Sequence, residues 1–314
     1  MLGVRPAVLM YHRIVTEQVD PWGLAVSPAR FAEQVEWLQR HRTVLPLDEL
    51  ARLHRAGRLP AGAVAITLDD GYACNATTAA PVLEERRAPA TFFVTADPVA
   101  AGREFWWDEL QRVVLDSPVE RIELAGEGSR RVLDLGEAPR GTAGWQPWAP
   151  PSDRRQEAYM ELWTALRALP PTAQAAAMED LCAQAGVPPA PRDSHRPMRP
   201  EELRDLGRSE VIDLGCHTAT HPSLPLQVRS VQQAEIAGSR EAVARLTGRS
   251  PATFAYPFGD HDPATVEMVR EAGYEAACTT DETGVPSGCD VLELPRLQVL
   301  DWSADQLAKR LRVL

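Results

Sequence analysis

The chain has 314 residues, 44% hydrophobic and 25% charged, enough for a core in one large α/β domain or two smaller ones. A net charge of −11 argues against nucleic acid or an anionic membrane surface as a partner, because both select basic patches. No apolar run approaches the ~18–20 residues that a bilayer crossing requires, so no membrane span is expected.

Met1 to Met10 has one arginine and only a short apolar stretch, without a small-residue cleavage site, so no signal peptide is expected and the location reads as cytoplasmic. Ala7 to Met10 fits a buried strand. Ser27-Pro28 opens a helix, with serine as N-cap and proline in the first turn, and Phe31, Val35 and Leu38 form its apolar face. Val44-Leu45 reads as a strand, Leu47, Leu50 and Leu53 as a short helix, and Val64 to Leu68 and Thr91 to Val94 as further strands. Strand and helix in alternation imply βα units around a parallel sheet.

Residues 104–200 break this alternation. Arg121 to Leu135 reads as a hairpin turning at Gly126-Glu127-Gly128. Leu162, Leu166 and Leu169 mark one helix, and Met178 with Leu181 another that ends near Gly186. Gly141 to Asp153 is the expected flexible loop. This stretch is expected to be a mainly helical insertion between barrel parts 1–103 and 201–314 of a single domain. The alternation resumes with a strand at Ile212 to Cys216, a helix at Glu235 to Leu246 closed by Gly248, and strands at Thr253 to Tyr256, Ala276 to Thr279 and Gln298 to Leu300. The expected fold is therefore α/β, a distorted (β/α) barrel of about seven strands, with its chemistry where strands end.

Three segments carry chemistry. In Thr67-Leu68-Asp69-Asp70-Gly71-Tyr72 an apolar strand ends in two carboxylates. Adjacent residues leaving a strand point in different directions, so one acid can bind a cation while its neighbour handles a proton. Alone, the pair reads equally well as a solvated turn. In His217-Thr218-Ala219-Thr220-His221-Pro222, two histidines four apart share one face of a helical turn and can reach one ion. An isolated pair of this spacing is more often two unrelated histidines. Beside a carboxylate pair at another strand end the balance reverses, since two histidines and one aspartate leave positions open, as a catalytic metal site needs. The third segment, Phe254-Ala255-Tyr256-Pro257-Phe258-Gly259-Asp260, is either a simple strand-to-turn transition or a groove wall offering a backbone N–H to an oxyanion.

Together these segments resemble the polysaccharide deacetylase (NodB-homology) family, carbohydrate esterase family 4. Thr67 to Gly71 resembles its TFDDG motif, with Leu68 in place of phenylalanine; His217 to Pro222 matches the H-S/T-x-x-H-P motif throughout. The third segment is similar to an FAYPxG variant, with Ala255 where other members carry an arginine. The resemblance runs from Ala7 to about Leu311, and the 104–200 stretch carries none of its motifs. It implies that Asp69 is the general base, that Asp70, His217 and His221 are metal ligands, and that the Phe258 N–H is an oxyanion donor, with Tyr72 assigned beside it to the substrate. Many members have a late Leu-x-His whose histidine is the general acid, but no histidine follows His261 here. The chain is similar instead to a permuted subtype with a Tyr-His on the first strand, matched by Tyr11-His12, which implies His12 as the acid; first and last strands of a closed barrel are neighbours. Arg296 is the candidate to replace the missing motif arginine beside the base.

The implied activity is metal-dependent removal of an acetyl group from an N-acetylated amino sugar, with zinc the expected ion and cobalt, nickel or manganese as alternatives. The expected partner is the sugar substrate, and the oligomeric state is open. Two other readings stand beside it: hydrolysis of a non-sugar amide or imide on the same fold, and a silent carbohydrate-binding protein, against which the proposed general base argues. The five cysteines are odd in number, dispersed and without a CxxC pair, which fits a reduced protein without thiolate-bound zinc. Cys216 reads as core, Trp106-Trp107 as core more than sugar-stacking surface, and His41, His54, His195 and His261 as surface residues.

Overall fold

The computed structural model describes residues 5–126, 129–137 and 144–314. The chain divides into two compact units: residues 1–16, 24–101 and 198–314, and residues 17–23 and 102–197.

The first unit is a nearly closed, parallel barrel surrounded by helices. Its N-terminal part holds β1 (Ala7–Tyr11), then β2 (Arg13–Ile14) and β3 (Ala25–Val26), which pair apart from the barrel sheet, and the strands β4 (Thr43–Val44), β5 (Ala63–Leu68) and β6 (Ala90–Val94). After the second unit's hairpin strands, β7 (Arg121–Gly126) and β8 (Ser129–Asp134), the barrel resumes with β9 (Ile212–Cys216), β10 (Thr253–Ala255), β11 (Ala276–Cys278) and β12 (Arg296–Gln298). The order around the sheet is β11-β10-β9-β6-β5-β1-β12, and β4 adds to the start of β5. A parallel bridge from Cys278 to Leu294, just before β12, draws the two ends together. β1 and β5 are buried at every position, as expected of parallel strands covered on both faces.

Alternation along these strands separates inside from outside. Val8, Ala65, Phe93, Ala255, Ala276 and Leu294 pack with one another in the barrel interior, together with Leu47 and Leu50 of the helix Leu47–Arg55. Leu9, Ile66, Phe92 and Phe254 belong to the larger core shared with the helices, where Cys216 also lies. The interior is tight at Gly215, where an added Cβ would lie 2.4 Å from the Phe93 ring. The interior series continues upward: Ala65 leads to Thr67 and Asp69, Val8 to Met10 and His12, and Gly215 to His217.

Several local expectations are corrected. The last strand is β12, Arg296–Gln298, two residues earlier than the apolar Val299-Leu300 suggests, because its register pairs Val8 with Arg296 and Met10 with Gln298. Ser27 precedes the helix Pro28–His41 but makes no side-chain cap; its hydroxyl donates to Asp301 instead, 2.7 Å away. The helix closed by Gly248 spans Arg229–Thr247 and starts before Glu235. Among the described residues no helix is long and apolar enough to cross a membrane.

The second unit pairs β7 and β8 antiparallel and packs them with the helices Trp106–Gln111, Arg154–Ala168 and Pro171–Ala185. Glu127, Gly128 and the segment 141–143 of the expected flexible loop lie outside the described residues. Trp106 and Trp107 are buried and pack edge to face, with Phe105 stacked on Trp107. His195 is not a surface residue: it is 2% exposed, hydrogen-bonded to Ser194 and 3.6 Å from the Glu17 carboxylate. Its neighbour Glu17 is far away in sequence, and local polarity does not reveal that burial.

Candidate active site

The ends of β1, β5 and β9 and the start of β12 bring the candidate residues together. The β1–β5 ladder runs one residue past β5, with the Asp69 N–H donating to Tyr11 O at 2.9 Å, which fixes His12 and Asp69 at one level. Across the interior, Arg296 donates two parallel hydrogen bonds to Asp69, Nη1 to Oδ1 and Nη2 to Oδ2, each 2.7 Å. The same guanidinium donates to Thr67 Oγ1 at 3.1 Å and to Thr279 O at 2.9 Å. Both partners are buried, and a two-pronged pair of this kind fixes the carboxylate plane as well as its charge. Burial alone would raise the Asp69 pKa; the facing guanidinium, with His217, outweighs it and holds the carboxyl below its ordinary value.

Asp70 has the opposite strand parity and reaches the same site by a backbone twist. Its φ is +72°, a left-handed conformation that aspartate adopts at modest cost. Asp70 Oδ1 lies 3.5 Å from Nε2 of both His217 and His221, and these nitrogens are 3.1 Å apart. An ion with bonds of ~2.0–2.1 Å imposes donor separations of roughly 3.0–3.4 Å, so this buried trio fits a divalent cation. His217 Nδ1 is 2.8 Å from Ala255 O; a carbonyl only accepts, so Nδ1 carries the proton and Nε2 presents its lone pair to the trio. Desolvation lowers the His217 pKa, with Asp69 opposing it, and the neutral form is the one that binds metal.

The segment His217–His221 is not a helical turn, contrary to the expectation from its spacing. It is a loop in which Thr218 and His221 have φ of +64° and +66°. Thr218 Oγ1 donates to His217 O and accepts from the His221 N–H at 2.9 Å, and this local exchange replaces helical bonding. Of the five non-glycine residues with positive φ among those described, Asp70, Thr218, His221 and Phe258 lie in the three motifs; the fifth, Arg87, ends a helix. Strain thus concentrates where the site is assembled.

Phe258 has φ of +59° and packs its ring edge-on to His221, with ring centres 4.6 Å apart. The next residue must be glycine, because a Cβ at Gly259 would lie 2.1 Å from Thr280 Oγ1. Tyr72 is fully buried, 5.2 Å beneath the Arg13 guanidinium. His12 is half-buried, and desolvation pushes its pKa down to about 4, with Asp69 raising it and Arg296 and His217 lowering it. Sequence reading missed two supports of the motif loops. Glu235 accepts from Ala219 and Thr220, and Ser223 donates to Asp260, tying the second motif to the third. Neither lies at a spacing that a motif would expose.

Comparison with known proteins places these features in a family. Residues 56–120 and 174–277, more than half of the chain, match the family model described as polysaccharide deacetylase. A search of curated proteins finds no match. Among solved structures, the chain is similar to the deacetylase PplD of Streptococcus pyogenes, solved with acetate, at 17% identity and a TM-score of 0.62, covering 98% of this chain and 99% of that one. It is also similar to IcaB from Ammonifex degensii, at 18% identity and a TM-score of 0.62, with 99% and 98% covered. The BpsB deacetylase domain of Bordetella bronchiseptica shares 14% identity at a TM-score of 0.56, with 96% and 97% covered. At these identities the structures show a shared fold, and with the family model matched over most of the barrel the chain belongs to the polysaccharide deacetylase (NodB-homology) family.

Proposed function

We propose that the protein is a metal-dependent N-deacetylase of an N-acetylated amino sugar, giving acetate and a free amine. One observation carries this reading: adjacent carboxylates are divided between two tasks, Asp69 locked to Arg296 and Asp70 converging with His217 and His221. Asp70, His217 and His221 would hold the ion, and their mixed nitrogen and oxygen donors suit zinc first, then cobalt, nickel or manganese. When bound, such an ion supplies Lewis-acid chemistry, polarising a carbonyl and making water acidic.

The chain's own groups account for the rest. Arg296 keeps Asp69 ionised and aimed, so that it takes the proton of the attacking water. The Phe258 N–H is assigned to the carbonyl oxygen as negative charge grows on it, and Tyr72 is assigned with it to the substrate. His12 protonates the departing nitrogen. With a pKa near 4 it rests neutral, so its proton must arrive during turnover, and Asp69 is the neighbour that favours its charged form. Barrel parts 1–103 and 201–314 carry every named group, and 104–200 is read as an insertion in a single catalytic domain. The acetate bound to PplD is in keeping with this product.

The test is acetate release from N-acetylglucosamine oligosaccharides and nucleotide sugars, with a panel of non-sugar amides alongside, using chelator-stripped and zinc-reloaded protein. Release from the sugars, restored by zinc, is expected. Cleavage of the other amides alone would reject the sugar reading, and release indifferent to chelation would reject the metal.

A further inference from the structure

The loop between His217 and His221 holds a conformation that its local sequence does not favour. Thr218 and His221 both have left-handed φ, a conformation that the Cβ of an ordinary residue disfavours. Local support comes from the Thr218 hydroxyl, which bridges His217 O and the His221 N–H. The N–H groups of Ala219 and Thr220 and the Thr220 hydroxyl turn outward onto one side chain, Glu235, in the second turn of the helix Arg229–Thr247. Glu235 Oε2 accepts from the N–H groups of Ala219 at 2.9 Å and Thr220 at 2.8 Å, and Oε1 accepts from the Thr220 hydroxyl at 2.7 Å. Glu235 is 6% exposed, so these bonds are sheltered from water. From the other side, the N–H groups of Ala96 and Asp97 donate to the carbonyls of Thr218 and Ala219. The loop is thus clamped at both its donors and its acceptors.

We propose that Glu235 is a positioning residue for the metal site: by binding the middle of the loop it holds His217 and His221 with their Nε2 atoms converged on Asp70. The bonds of Glu235 are to Ala219 and Thr220, so its action passes through the backbone of residues 219 and 220. Two N–H donors meet at one carboxylate oxygen and the Thr220 hydroxyl at the other, so an apolar residue here leaves all three groups without their acceptor. Glutamine keeps an oxygen for the two N–H groups and turns its NH2 to the Thr220 hydroxyl, losing only the charge that strengthens the bonds.

This inference rests on the metal reading above, and the experiment separates the two. Zinc affinity is measured by competition with a chromogenic chelator for the wild-type chain and for Glu235→Leu, Glu235→Gln and Thr220→Val, with melting of each metal-free protein followed in parallel. Glu235→Leu is expected to bind zinc ~10-fold or more weakly, the range seen when groups supporting metal ligands are removed. Glu235→Gln, which keeps an acceptor for the two N–H groups, should recover part of that loss. Thr220→Val, which removes only the hydroxyl bond, should show a smaller loss in the same direction. A purely structural glutamate would lower the melting temperature and leave zinc affinity unchanged, and that result overturns the proposal. Should Glu235→Leu not fold, unchanged affinity in Thr220→Val overturns it equally. Failure of the wild-type chain to bind zinc would defeat the metal reading itself.

Discussion

Both units of the molecule bury charge, but they use it differently. In the second unit the buried carboxylate of Glu104 lies 3.0 Å from Arg192 and 3.5 Å from Arg112, cations that keep some contact with water. Arg155 there donates to the carbonyls of Val114, Ser117, Val119 and Glu137 and binds the end of one helical segment to the irregular chain around it. These groups satisfy one another. In the barrel, Asp69 is satisfied by Arg296, while Asp70, His217 and His221 turn their donor atoms toward one another on strained backbone. Buried charge that closes on itself maintains a shape; buried lone pairs that converge on a point call for a ligand.

The comparison can be broken most directly at Asp69. Replacing Asp69 by Asn should lower kcat by ~10²–10⁴-fold, the usual contribution of a general base. Zinc content, measured by elemental analysis, should stay near the wild-type level because the three donors remain. Activity close to wild type would move the base elsewhere and erase the division of labour between the two carboxylates.

A smaller effect, in stability, should distinguish the two kinds of ion pair. Arg296→Met leaves the Asp69 carboxylate buried and unpaired, at a cost of about 3–5 kcal/mol in urea unfolding. Glu104→Gln leaves arginines that can still reach water, so its cost should be nearer ~1–2 kcal/mol, with zinc affinity unaffected. Equal costs would show that the two pairs are buried alike.

The smallest effect concerns pH. Desolvation raises the pKa of Glu109, with Arg103 opposing it, whereas Asp69 ends below its ordinary value. A carboxyl raised by folding holds its proton more tightly than the unfolded chain does. Its stabilisation is full below the unfolded pKa and is lost as pH rises through the folded one. Asp69 runs the other way: its contribution is present above the unfolded value and lost as pH falls through the folded one. Glu109→Gln, which mimics the protonated form, should therefore gain stability relative to wild type as pH rises above the ordinary glutamate value of about 4.3. A constant difference in melting temperature over that rise would remove the contrast between the two carboxyls.

The motifs were legible because each is local. A strand such as Val64 to Leu68 declares itself by unbroken apolar and β-branched residues, and the acids and histidines follow within a few positions of strand ends. The alternation of side chains also places Asp69, His217 and His12 on the interior face once the strands are known. Where local pattern misled, a distant partner was responsible. β12 hides behind a buried arginine that apolarity cannot find, and His195 is buried beside Glu17, a residue far away in sequence.

The sequence by itself thus determined the barrel class, most of its strands to within a residue and the residues eligible for the site, because periodicity and turn chemistry act over a few residues. The tertiary structure alone decided that His217 to His221 is a clamped loop, not a helical turn, and that Asp69 faces Arg296 squarely. It also decided that a helix glutamate holds the loop from behind. Those outcomes depend on burial, which makes an unpaired charge or N–H costly, and burial is a property of segments that meet only when the barrel closes.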